Sequence, residues 1–98
     1  MNEEWKTPAN YFYDGRTLTG YLCFYKDYFV YKADSVTGSL VFQGIPYSEI
    51  EKIKETNTLA VIPNGLIIYT QGEKQYQFSM MNRSKIKNFL QFKIGRKA

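Results

Sequence analysis

Ninety-eight residues with 13 Lys or Arg, nine Asp or Glu and no His make one domain of net charge +4; at this size folding buries roughly 65% of the unfolded chain's surface, enough for a single core. The one cysteine, Cys23, excludes an intrachain disulfide and, with no His present, a zinc site of the usual Cys/His kind. No apolar run approaches the roughly 20 residues of a membrane span, and residues 1–17 carry no apolar signal core, so the expected compartment is the cytoplasm.

Residues 1–8 are polar apart from Trp5, end in Pro8 and are expected to form a flexible lead-in, with the folded domain at 9–98. Residues 11–14 predict a first strand, turned at Gly15-Arg16. Residues 18–25 and 28–33 predict a hairpin across Lys26-Asp27. Pairing Tyr25 with Tyr28 sets Phe24 opposite Phe29 and Leu22 opposite Tyr31, which puts these four on one core face. Tyr21, Cys23, Tyr25, Tyr28, Val30 and Lys32 fall on the other face, where Cys23 reads as a small strand residue without an activating neighbour.

Residues 34–38 are a polar loop, and 39–45 an apolar run ended by Pro46. Residues 47–50 suit one helical turn, 50–55 a mostly exposed strand, and Pro63-Asn64-Gly65 a turn. Residues 66–70 and 74–80 form a second hairpin across Gly72. A two-residue loop pairs Tyr69 with Tyr76 and Ile67 with Phe78; a three-residue loop pairs Ile68 with Tyr76 and Leu66 with Phe78. Both put Tyr76 and Phe78 on one core face.

The period changes after Met81. Ile86, Phe89, Leu90 and Ile94 recur at helical spacing, with Asn82 as N-cap and Gly95 as stop. The whole is mainly β: about seven antiparallel strands followed by one C-terminal helix. Arg83, Lys85, Lys87, Lys93, Arg96 and Lys97 all fall within residues 82–98, which contain no acid, while residues 1–81 hold seven bases against nine acids. The basic character therefore belongs to the C-terminal segment.

The order of elements and several short motifs resemble the GRAM domain family, in its short bacterial form, within the pleckstrin-homology-like superfamily. The motifs are Gly20-Tyr21-Leu22, Tyr28-Phe29-Val30-Tyr31, Gly44-Ile45-Pro46 running to Ile50, Pro63-Asn64-Gly65-Leu66 and Tyr76-Gln77-Phe78. The resemblance spans roughly residues 9–94. It implies a barrel of two nearly orthogonal sheets closed by the helix, and a module that binds phosphoinositides, other anionic lipids or proteins. Phosphoinositide binders of this superfamily gather several cations around the first hairpin. Here the first turn offers Arg16 alone, and residues 17–25 hold no base.

Catalytic chemistry is not legible. Without His, acid–base work would fall to Asp, Glu, Lys or Tyr, and Glu49, Glu51, Asp14 and Asp27 stand at no spacing that a known site needs. Glycine-rich phosphate loops are missing, so no cofactor is implied. Two surfaces stand out. On the helix, Phe92 lies off the apolar stripe, with Lys85 and Arg96 on its side. That arrangement suits a partner groove or a membrane interface, unless helix drift, a wide packing face or Trp5 covers Phe92. On the outer hairpin face, Tyr21, Tyr25 and Tyr28 interleave with Lys26 and Lys32. That pattern suits cross-strand packing better than nucleic-acid stacking. The expectation is a non-catalytic module for a protein partner or self-association. Peripheral binding of anionic lipid by the basic helix is the alternative, and nucleic acid the weakest reading.

Overall fold

The computed structural model describes residues 4–13, 15–34, 44–58 and 62–95. Its elements are β1 (Trp5–Tyr13), β2 (Arg16–Phe24), β3 (Tyr28–Ala33), β4 (Ile45–Pro46), a 3-10 turn (Tyr47–Glu49), β5 (Ile50–Thr58), β6 (Ile62–Thr70), β7 (Lys74–Ser79) and α1 (Arg83–Gly95). The expected loop at 35–38, most of the apolar run at 39–43, Asp14 and the apolar residues 59–61 lie outside the described residues.

The seven strands are antiparallel, as expected, and form one hydrogen-bonded sheet in the order β4-β3-β2-β1-β7-β6-β5. The two sheets implied by the resemblance are, among the described residues, one continuous sheet with β4 and β5 at its ends, not closed between them. The join is narrow: β1 meets β7 only at Asn10↔Ser79, Tyr11↔Phe78 and Phe12↔Gln77. Those pairs tie the group β1–β4 to the group β5–β7.

The first hairpin has the expected register, with Leu22 opposite Tyr31 and Phe24 opposite Phe29, and all four side chains are fully buried. The second hairpin takes the three-residue loop: Leu66 faces Phe78, Ile68 faces Tyr76, and Thr70 faces Lys74. Gly72 and Glu73 in that loop both have positive φ, 82° and 61°, which tightens the turn at a position where glycine costs nothing sterically. Gly20 meets a different need. A Cβ there would come within 2.1 Å of the Lys32 carbonyl oxygen, so only glycine lets β3 approach this closely. The Tyr31 hydroxyl crosses the same gap and donates to the carbonyls of Ala9 (2.9 Å) and Leu18 (3.1 Å).

Two sequence expectations change. Residues 5–8, assigned to the lead-in, form the first half of β1, with Trp5 opposite Phe24 and Pro8 opposite Tyr21. Pro63-Asn64-Gly65, expected as a turn, lies inside β6. There the β5–β6 ladder shifts register between Thr56 and Thr58. A proline without an N–H is tolerated at such an irregularity.

The core lies between the sheet's inner face and α1. Tyr11 stacks on Phe78 at 5.0 Å, Trp5 stacks on Phe24 at 5.0 Å, and Phe89 of the helix meets Trp5 and Phe24 edge-on at 5.2 and 5.0 Å. Ile86 and Leu90 are fully buried, and Phe89 and Ile94 pack beside them, so the helical stripe read from spacing is the packed one. The helix rests on β6 and the 3-10 turn. Its start is tied down by Asn82, whose carbonyl accepts from the Ile86 N–H at 3.1 Å and whose side-chain amide donates to Thr7 Oγ1 at 3.0 Å.

Candidate functional site

The outer face of the first hairpin gathers Tyr21, Tyr25 and Tyr28 as expected. Tyr25 and Tyr28 stack at 4.9 Å with their planes 10° apart. Gly44 lies against the Tyr28 ring so closely that a Cβ would come within 2.5 Å of it. Lys32 Nζ donates to the Tyr25 hydroxyl at 3.4 Å. The gap between the two rings, which a stacking base would need, is thus already closed. Tyr21 is the more open ring, with Lys6 Nζ 5.0 Å from its centroid. Cys23 is on this face but buried, between its strand partners Lys6 and Val30.

Arg16 is exposed at the start of β2, beside Gly15 with φ 74°. It stands far from the hairpin's outer tyrosines along β2, so the structure does not gather these residues into one site.

On the helix, Phe92 is 59% exposed. Lys85 Nζ sits 5.0 Å from the centroid of the Trp5 ring, so its charge rests on an aromatic face. Arg96 lies outside the described residues. The other helix cations meet acids from distant strands. Glu55 receives Arg83 (3.6 Å) and Lys87 (3.3 Å), and Glu4 receives Lys93 (2.9 Å). Arg83 also donates to the Thr56 carbonyl at 3.1 Å.

Sequence reasoning missed the basin at the end of the helix. It has a volume of about 560 Å³ and is lined by Glu4, Lys26, Asp27, Tyr47, Ser48 and Lys93 among others. Lys93 is fixed within it: besides Glu4, its ammonium reaches the Lys26 carbonyl at 3.3 Å and lies 5.5 Å from the centroids of both Tyr47 and Phe89. Tyr47 donates to the Tyr25 carbonyl at 2.7 Å. Burial, then the nearby Glu4, pushes its phenol well above the ordinary value. Among the described residues no three His, Cys, Asp or Glu come together as metal ligands, and no helix is long and apolar enough to cross a membrane.

No protein-family model and no curated protein matches the chain. Solved structures do. The C-terminal domain of an unknown protein from Leishmania infantum superposes with a TM-score of 0.82 at 14% identity, over 95% of this chain and 84% of that one. The complex of human RhoA with the DH/PH fragment of PDZRHOGEF gives 0.72 at 14% identity, over 99% of this chain and 29% of that one. The Slm1 PH domain in complex with inositol-4-phosphate gives 0.63 at 8% identity, over 96% and 95%. At these identities the likeness is one of fold, and the fold of this chain is pleckstrin-homology-like.

Proposed function

We propose that this chain is a non-catalytic binding module of the short bacterial GRAM type, and that it engages a protein partner or a second copy of itself. The observation that carries this reading is the contrast on α1: Phe92 is 59% exposed, while Arg83, Lys87 and Lys93 are held by Glu55 and Glu4. An exposed ring on a helix that has three of its cations paired with acids suits a protein surface better than a charged lipid layer. The neighbours of known fold were captured with both classes of ligand, RhoA and inositol-4-phosphate. In this chain the first turn has Arg16 as its described cation, and one Arg does not neutralise several phosphates.

Binding of anionic lipid is the second reading, supported by the six bases in residues 82–98. The module is then cytoplasmic and peripheral at the membrane.

Sedimentation velocity over a concentration series tests the first reading. The wild-type chain is expected to self-associate, or to carry a co-purifying protein, and Phe92→Asp to lose that association while remaining folded. A strict monomer with no retained protein, unchanged by Phe92→Asp, would remove the helix surface from consideration.

A further inference from the structure

A second surface lies away from the helix, on the outer face of the sheet where β1 crosses to β7. A concavity of about 420 Å³ is lined there by the carboxamides of Asn10, Asn57, Asn64 and Gln77 and the hydroxyls of Thr17 and Ser79, with the Phe12 ring at one side. A smaller concavity of about 140 Å³ shares Asn10, Asn64 and Ser79 with it and adds Pro8 and Met81. The two therefore form one elongated groove. Met81 is 97% exposed, more than any other large hydrophobic side chain among the described residues. Among the described residues, no charged side chain lines either part, in a chain of which 22% is charged.

The face follows from the strand period. Thr7, Ala9 and Tyr11 of β1 are buried in the core, so Pro8, Asn10 and Phe12 point to the opposite side. Cross-strand pairing aligns Thr17 and Gln77 with Phe12, and Ser79 with Asn10. The Asn10 amide donates to Ser79 Oγ at 3.3 Å, which orients these two groups.

We propose that this groove holds an extended, uncharged peptide segment of a partner protein, recognised by side-chain amides. Three features select this occupant. First, a carboxamide carries both a donor and an acceptor, as a peptide unit does, whereas a charged ligand would find no counter-ion among the described lining residues. Second, Pro8, Asn10 and Phe12 recur every two residues, about 7 Å apart, which is the repeat of equivalent groups in an extended chain. From Pro8 to Phe12 the groove runs about 13 Å, room for about four ligand residues. Third, β1 is flanked by β2 and β7, and β7 by β1 and β6. Over Asn10, Tyr11 and Phe12, where β1 pairs with both neighbours, the main-chain groups serve the sheet, so a chain lying there is read by side chains. Phe12 at one end and Met81 at the other supply apolar contacts, Met being well suited to varied partners.

Selection from a phage-displayed library of random 12-residue peptides, followed by 15N–1H shift mapping with the enriched sequences as free peptides, tests this. The expected result is enrichment of uncharged sequences whose shift changes centre on Asn10, Phe12, Gln77 and Ser79. Gln77→Ala removes one hydrogen-bonding partner and Phe12→Ala the ring, so each should weaken binding by several-fold to about tenfold. Phe92→Asp should leave it unchanged, which separates this groove from the helix surface. Gln77 is half-buried, so Gln77→Ala keeps the fold and remains informative if Phe12→Ala unfolds. Failure to enrich any peptide, enrichment of charged peptides, mapping to the helix, or indifference to Gln77→Ala would each overturn the proposal. So would shift changes in the groove with maltohexaose in the absence of peptide binding, which would assign it to saccharide.

Discussion

The cations of α1 and those on the outer face of the first hairpin meet different partners. Arg83, Lys87 and Lys93 reach carboxylates of Glu55 and Glu4. Lys6 and Lys32 instead reach tyrosines, Lys6 over the Tyr21 ring and Lys32 at the Tyr25 hydroxyl. The helix holds more positive charge in sequence, yet more of that charge is neutralised in place. Counting bases along a segment therefore overstates what the segment can offer to an anion. On the hairpin side, Lys32 meets a ring that is already stacked on Tyr28.

Phe24 joins the two regions. It lies on β2 of the hairpin, and its ring meets Trp5, Phe29 and Phe89. Phe24→Ala should cost about 3–5 kcal/mol and loosen the helix from the sheet, so that the difference between the two sets of cations disappears. Urea unfolding measures the first effect and near-ultraviolet circular dichroism the second.

Tyr31→Phe should act on the hairpin and on β1 beside it. It leaves the carbonyls of Ala9 and Leu18 without the hydroxyl they accept from, a loss of about 1–3 kcal/mol. The same phenol links stability to pH. Burial, then Asp34, raises its pKa from the ordinary 10.0, and burial, then Glu4, raises that of Tyr47. Above pH 10 the unfolded chain releases these protons while the folded chain keeps them. The unfolded state then binds fewer protons, and stability falls as pH rises. The stability is complete below about pH 10 and is lost progressively above it. Unfolding curves at pH 9 and 11 should show a smaller drop for Tyr31→Phe than for wild type.

The smallest effect is expected for Lys32→Met, which removes one exposed contact to Tyr25. A change within about 0.5 kcal/mol, with the Tyr25–Tyr28 stack retained, would confirm that the rings hold each other. A loss above 1 kcal/mol would make the lysine part of the hairpin's structure and erase its difference from the helix cations.

Much of this arrangement was legible in the sequence, for local reasons. Leu22, Phe24, Phe29 and Tyr31 alternate across a two-residue connection, so one register buries all four. Ile86, Phe89, Leu90 and Ile94 share a helical stripe, and Phe92 lies off it. What escaped depends on distant partners. Trp5 to Pro8 read as a lead-in because proline usually ends a strand. Yet β7 pairs with β1 only from Asn10 onward, so Pro8 sits where one flank of β1 is open. Glu4 and Lys93 meet across 89 residues, and Glu55 gathers Arg83 and, across 32 residues, Lys87. No local spacing announces such pairs. The second hairpin stayed ambiguous because both loop lengths bury Tyr76 and Phe78. The observed pairing of Ile68 with Tyr76 and of Thr70 with Lys74 resolves it. The single continuous sheet rests on three residue pairs between β1 and β7, too short a seam to be read from pattern.

The most direct measurement is co-sedimentation with phosphatidylglycerol-rich vesicles at low salt, comparing wild type with the Glu4→Gln, Glu55→Gln double variant. Both carboxylates are partly exposed, so their removal should change stability little. If these acids occupy the helix cations, the wild type binds weakly and the double variant more than tenfold better, since each released charge near such a surface is worth about 1 kcal/mol. Wild type binding as tightly as the double variant would contradict the account and return the helix to the lipid reading.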